Sequence, residues 1–294
     1  MRKTLHGLVL ALLLANAPLA PAAEKILYQS RSSFNTLIVS EDDKGLRVLR
    51  FEPDGARQSV VKPGDPDHLE VMYARAFPAV LAWMPAPRRA LVVGLGGGTV
   101  PMFLRKRLPD LDIDVVELDP AVIDVARRHF GVIEDDKLHV HAGDGRRFIE
   151  KKKSAYDIIL LDAFSADEVP YPLATVEFQR AVRRALTPRG VVVGNMWSGM
   201  SNPIFNDMVR TYVELYRSVA VLGLEGVSNK LVIGCPWSPA PDKAEVVRLS
   251  REIGARLELK DDLAALVERG LRAPTPEETA ATVLSDHRPP RKKR

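Results

Sequence analysis

The stretch ALVVGLGGGT, residues 90–99, decides how the chain folds. Ala90-Leu-Val-Val93 is an unbroken apolar run of the length a strand buried on both faces needs, and it breaks directly into Gly94-Leu-Gly-Gly-Gly98. Val100 to Leu108 then reads as a helix. A strand that turns through glycine into a helix offers the unpaired amides of the helix start to whatever sits above the turn. Alone the turn is weak evidence for a ligand, since glycine also serves simply to join two elements.

Downstream, the alternation repeats. Ile113-Asp-Val-Val116 predicts a strand, and Pro120 to Phe130 a helix with proline in its first turn. Leu138-His-Val-His141 and Ile158-Ile-Leu-Leu161 are strands, followed by a helix from Thr175 to Leu186. Gly190-Val-Val-Val193 is a strand and 205–216 a helix, Val219–Leu222 and Lys230–Ile233 complete the sheet, and 242–270 adds amphipathic helix. Upstream, Leu69, Met72, Tyr73, Ala76, Phe77, Val80 and Leu81 form a helical stripe, which predicts a helix over 67–84 with Asp67 as N-cap. Before it, Leu37-Ile-Val39 and Leu46-Arg-Val-Leu-Arg-Phe51 are β-type runs separated by Glu41–Gly45. The fold class is therefore α/β: a seven-stranded, mainly parallel Rossmann-like sheet with helices on both faces, preceded by a small N-terminal antiparallel β-sheet. The expected organisation is a signal peptide at 1–23, the β-strand domain at 24–64, a nucleoside-binding catalytic domain at 65–272, and a basic, flexible tail at 273–294.

Composition narrows the class. With 294 residues, 46% hydrophobic and 27% charged, the chain can bury a large core and is too apolar for disorder. Cys235 is the only cysteine, which excludes an intrachain disulfide framework. The formal charge of +4 comes from the ends: Arg2 and Lys3 at one, Arg288, Arg291, Lys292, Lys293 and Arg294 at the other. Without those seven, 35 basic residues face 38 acidic ones, so no nucleic-acid partner is expected. The cationic start, the apolar run Gly7–Ala15 and the small residues Ala20–Ala23 read as a secretory signal cleaved near Ala22 or Ala23. That run is shorter than the ~20 residues a bilayer span needs. The mature chain is expected to lack a membrane span and to be exported to the periplasm or beyond.

Ligands of an open parallel sheet bind beyond the carboxyl ends of its strands, and there the chain concentrates its chemistry. The first strand ends in the glycine loop. The second ends in Glu117-Leu-Asp119, where a carboxylate can accept from both ribose hydroxyls, while Asp119 is a candidate cap for the helix at Pro120. The third ends in Gly143-Asp-Gly145, whose acid can meet an adenine amino group, and the fourth in Asp162-Ala-Phe164. Glycine loop, Glu, then Asp on successive strands describes an adenosine site. A nicotinamide site would prefer Gly or Ala where Thr99 stands and does not require the Gly-Asp-Gly turn.

Gly94–Thr99, Val116-Glu-Leu-Asp-Pro120, Gly143-Asp-Gly145 and Leu160-Leu-Asp162 together resemble the spermidine synthase (polyamine aminopropyltransferase) family, in its spermidine synthase-like branch of the class I S-adenosylmethionine-dependent methyltransferase fold. The resemblance runs over residues 28–235 and includes Gln58, Tyr73, Glu177-Phe178 and Leu186-Thr-Pro-Arg-Gly190. It implies transfer of an aminopropyl group from decarboxylated S-adenosylmethionine to a diamine such as putrescine, with methylthioadenosine released. It further implies that Gln58 and Glu117 hold the ribose side and Asp144, beside Gly145, the adenine. Gly94, Gly96 and Gly97 would line the nucleoside, while Asp162 and Tyr73 would orient and deprotonate the amine. No permanently bound cofactor and no metal are expected, the sulfonium donor being a co-substrate. A small diamine or polyamine is the expected partner, and the resemblance leaves room for a homodimer.

Two positions depart from the family pattern. Gly97 stands where the family's glycine loop carries an acid for the donor's ammonium, and Ser165 where a second acid follows the fourth strand, with Asp167 and Glu168 out of register. The family's Thr-Tyr-Pro acceptor loop is not visible around Gly223–Asn229. A methyltransferase using S-adenosylmethionine itself, or an exported nucleoside- or polyamine-binding protein without activity, are the alternatives. Tyr73 also fits core packing, and His139 and His141 share a strand face without an acid or cysteine at metal spacing. Cys235 reads as a small core residue, Trp197 as either a crevice wall or core cover, and the basic C-terminus as solvated.

Overall fold

The computed structural model describes residues 24–163, 169–199 and 202–288. The signal peptide expectation, Ser165, Asp167, Glu168 and the last six residues fall outside them. Four strands, β1 (Lys25–Arg31), β2 (Thr36–Glu41), β3 (Arg47–Arg50) and β4 (Arg57–Val61), form an antiparallel meander in sequence order. The main sheet contains β5 (Arg89–Val93), β6 (Asp112–Glu117), β7 (Leu138–Ala142), β8 (Tyr156–Leu161), β9 (Leu186–Trp197), β10 (Ser218–Gly223) and β11 (Asn229–Cys235). A two-residue edge strand, β12 (Leu271–Arg272), makes it eight-stranded, in the order β12-β10-β11-β9-β8-β5-β6-β7. The pairs from β7 to β9 are parallel, whereas β11 runs antiparallel between β9 and β10. The order reverses at β5, where the connection to β6 goes one way and β8 lies on the other side, and a ligand crevice opens at such a switch point.

Residue alternation explains the layers. Ala90, Val92, Ile158, Leu160, Val191 and Val193 face one core, while Leu91, Val93, Ile159, Leu161 and Val192 face the other. The first core is covered by α1 (Met72–Ala76) with the 3-10 turn Phe77–Ala82, α2 (Thr99–Arg107), α7 (Lys243–Arg256) and α8 (Leu263–Gly270). The second is covered by α5 (Val176–Ala185) and α6 (Phe205–Leu215), with Ile149 of α4 (Gly145–Glu150). The small sheet does not stand alone. Its Leu37, Val39 and Leu49 share a core with Val122 and Val125 of α3 (Pro120–Val125) and with Phe130, at the end of the π turn that continues α3.

Two expectations need correction. The helix before the glycine loop starts at Met72 rather than near 67, capped by Val71, which has no side-chain bond to give. Asp67 instead accepts from Lys106 and Arg107 at 2.6 Å each, because a cationic helix end offers it two charged donors against one amide. The segment from Ala273 is also not loose as far as Arg288. Thr275 opens α9 (Pro276–Ala280) with a capping box, Leu284 is buried, and Ser285 and Asp286 are hydrogen-bonded to the body. Its prolines and charges serve as caps and pairs. Among the described residues no helix is long and apolar enough to cross a membrane.

Candidate active site

The carboxyl tips of the strands enclose a cavity of about 740 Å³, bordered by Gly94, Gly96, Gln58, Glu117, Asp144, Gly145, Tyr73 and Asp162. That volume suits a nucleoside with an acceptor beside it. All the residues expected at the site from sequence, except Gly97, line this one cavity. Gly94, at φ +100°, lets β5 pass against the end of β8: a side chain there would strike the Asp162 carbonyl oxygen. Gly97 is displaced from the cavity wall by packing. A Cβ on it would come within 2.8 Å of Ser59 Oγ and 2.9 Å of the Phe130 ring, so β4 and the π turn occupy the direction an acid would take.

Glu117 ends β6 with both oxygens engaged. Oε2 accepts from the Leu95 amide at 2.9 Å and Oε1 from the Asp119 amide at 3.0 Å. Burial pushes its carboxyl above the ordinary range, and these amides pull it back. Each oxygen keeps acceptor capacity for a hydroxyl donor. Asp119 caps α3 through the Ala121 amide and accepts from Ser32 Oγ at 2.5 Å, which ties the residue after β1 to this corner. Asp144 caps α4, its Oδ1 accepting from the Arg147 amide at 2.9 Å, and is exposed to the cavity. Leu118 sits between these acids and is 48% exposed; with Phe34 and Val227 it gives the cavity an apolar rim.

Asp162 borders the cavity and is enclosed by protein on its other sides. Asn195 Nδ2 donates to its Oδ1 at 2.8 Å, and the Tyr73 hydroxyl donates to it as well. Burial pushes its carboxyl up to about 6, against the pull of these two bonds. Burial, and then the charge of Asp162, push the Tyr73 hydroxyl well above its ordinary value, so Tyr73 remains a donor. Asn229 on β11 donates to Asn195 Oδ1 at 3.0 Å, fixing which way the Asn195 amide faces.

Asn195 and Asn229 are absent from the sequence reading. The available signal was a polar residue directly after the buried run Val191–Gly194, in the register that faces Asp162. Trp197 lines the cavity rather than only covering the core. His141 pairs with Asp114 at 2.7 Å away from the site, and burial lifts the Cys235 thiol to about 12. Among the described residues no three His, Cys, Asp or Glu side chains gather as a metal group.

Comparison with known proteins gives the family and the fold. The spermine/spermidine synthase domain profile matches residues 77–214. The polyamine aminopropyltransferase of Vibrio vulnificus is 32% identical over 248 residues, covering 82% of each chain. A probable spermidine synthase from Corynebacterium glutamicum superposes with a TM-score of 0.72 over 88% of this chain and 96% of its own, at 18% identity. Human methyltransferase-like protein 13, solved in complex with SAH, superposes with a TM-score of 0.59 over 64% of this chain and 93% of its own, at 25% identity.

Proposed function

Because the chain belongs to the spermine/spermidine synthase family, we propose that it is an aminopropyltransferase, moving the aminopropyl group of decarboxylated S-adenosylmethionine onto a primary amine such as putrescine. The observation that carries this reading is Asp162. It is a buried carboxyl with a value of about 6, held by Tyr73 and Asn195 in the same cavity as Glu117 and Asp144. An alkylammonium has no lone pair to attack with, so a carboxylate must take its proton. The neutral amine nitrogen then bonds to the methylene next to the sulfonium. The carbon–sulfur bond breaks, its electron pair returns to sulfur, and neutral methylthioadenosine leaves. Tyr73 orients Asp162 and does not itself act as base, because its hydroxyl keeps its proton.

Glu117 holds the ribose hydroxyls in this reading and Asp144 the adenine amino group, with Leu118 and the glycine loop against the rings. One observation favours methyl transfer from S-adenosylmethionine as a second reading: the loop offers no carboxylate at Gly97 for the donor's terminal ammonium, and Ser59 and Phe130 fill that direction. Incubating the purified chain with each donor and putrescine separates the readings. Methylthioadenosine release supports aminopropyl transfer, S-adenosylhomocysteine supports methylation, and nucleoside binding without either product leaves a silent binding protein. We also infer export from residues 1–23, which cell fractionation checks.

A further inference from the structure

We propose that Asp286 is a positioning residue of the nucleoside site: from the C-terminal segment it holds the Arg146 guanidinium in the cavity wall and away from Asp144. The inference rests on the reading of this cavity as an adenosyl site. Arg146 follows Asp144 by two residues in the Gly-Asp-Gly-Arg turn and lines the same cavity. Its fork makes four hydrogen bonds. Nε donates to Glu150 at 3.0 Å, Nη1 to Asp286 Oδ1 at 2.9 Å and to the Pro172 carbonyl at 3.1 Å, and Nη2 to Asp286 Oδ2 at 2.5 Å. A bidentate carboxylate pair of this kind fixes the guanidinium plane.

The pair closes a gap between two parts of the wall. Pro172 belongs to the segment Pro170–Leu173, of which Pro170, Pro172 and Leu173 line the cavity, and Arg146 spans from the Asp144 turn to it. The same segment is held a second time from the C-terminus, where the Tyr171 hydroxyl bonds the carbonyls of Ser285 (2.9 Å) and Arg288 (3.0 Å). The C-terminal segment is itself firmly seated. Glu177 of α5 accepts from Ser285 Oγ at 2.9 Å and from the Asp286 amide at 3.0 Å. The Val176 amide donates to Leu284 O at 2.8 Å, and the Leu284 amide to Thr211 Oγ1 of α6 at 3.0 Å. The Arg146 bond holds the Asp286 carboxyl down at about 2, so the pair is charged at every physiological pH.

Without Asp286 the guanidinium keeps one carboxylate, Glu150, and is released beside Asp144, two residues away in the same turn and on the same cavity wall. An ion pair there would occupy the oxygen that an adenine amino group needs. Asp286→Asn is the test, read by calorimetry against methylthioadenosine and S-adenosylhomocysteine, by donor KM and kcat, and by thermal melting. The expected result is about tenfold weaker nucleoside binding and a similar rise in KM, the size of one charge-assisted bond, with a smaller change in kcat. Asp286→Glu should recover part of the affinity. Tyr171→Phe, which keeps Asp286, should loosen the same wall and move KM in the same direction. A purely structural role would lower the melting temperature and leave the folded fraction's affinity unchanged, and that result overturns the inference. If the unaltered chain binds neither nucleoside, the adenosyl reading falls and takes this inference with it; if it binds and Asp286→Asn binds equally well, only the inference falls.

Discussion

Burial holds Asp162 at about 6, which sets the direction of two measurements. As a base it works only when ionised, so kcat/KM should rise with pH through about 6 and level off above it; a profile flat from pH 5 to 8 would contradict the role. Stability runs the other way. The folded value lies above the unfolded value of 3.8, so the native state binds this proton more readily. The carboxyl therefore costs nothing below pH 3.8 and destabilises the fold by at most about 3 kcal/mol above pH 6. Asp162→Asn should abolish turnover, spare methylthioadenosine affinity, and gain stability at pH 7.5 relative to pH 5, read by denaturant titration at both. Asp162 was visible in the sequence because it ends the run Ile158–Leu161 in an acid. Asn195 and Asn229 were not, since what they do depends on the lateral pairing of β8, β9 and β11, which joins residues 33 and 34 positions apart.

The glycine loop and the small sheet act as one unit. Ser59 of β4 reaches Thr99 at the start of α2, Oγ to Oγ1 at 3.3 Å, and packs where a Gly97 side chain would point. Gly97→Ala should cost about 1–3 kcal/mol by overpacking, and Ser59→Gly in the same chain should recover part of it; thermal melts of the two variants check the coupling. Gly94→Ala should be more damaging, because it collides with backbone at Asp162 rather than with a side chain that can turn away. The strands of the main sheet were legible because their apolar runs are unbroken and glycine, proline or acid ends them. The start of α1 was less so. The apolar stripe extends to Leu69, but the backbone before Met72 is not helical, and Asp67 is drawn instead to the cationic end of α2. Periodicity alone does not reveal a competing ion pair 40 residues away in sequence.

Across the whole molecule, Cys235 sits in the middle layer, on β11 between β9 and β10, and its thiol is lifted to about 12. Maleimide should therefore label the native chain very slowly at pH 7.5, with labelling rising in step with loss of circular dichroism as denaturant is added. Fast labelling without unfolding would show that the sheet opens locally. The N-terminal meander and the C-terminal segment both close on the central sheet, the first through α3 and the second through α5 and α6. Composition marked the C-terminal stretch as loose because proline and charge dominate it, yet its partners are single side chains more than a hundred residues upstream. The bridge from Arg146 to Asp286 also orders events in time. Asp286 stands 140 residues after Arg146, so a ribosome has delivered the loop and all its acids long before it delivers the anchor of their wall. Polypeptides still in synthesis, or cut short by a late stop codon, would own every nucleoside-facing residue and still lack a finished place to put the nucleoside.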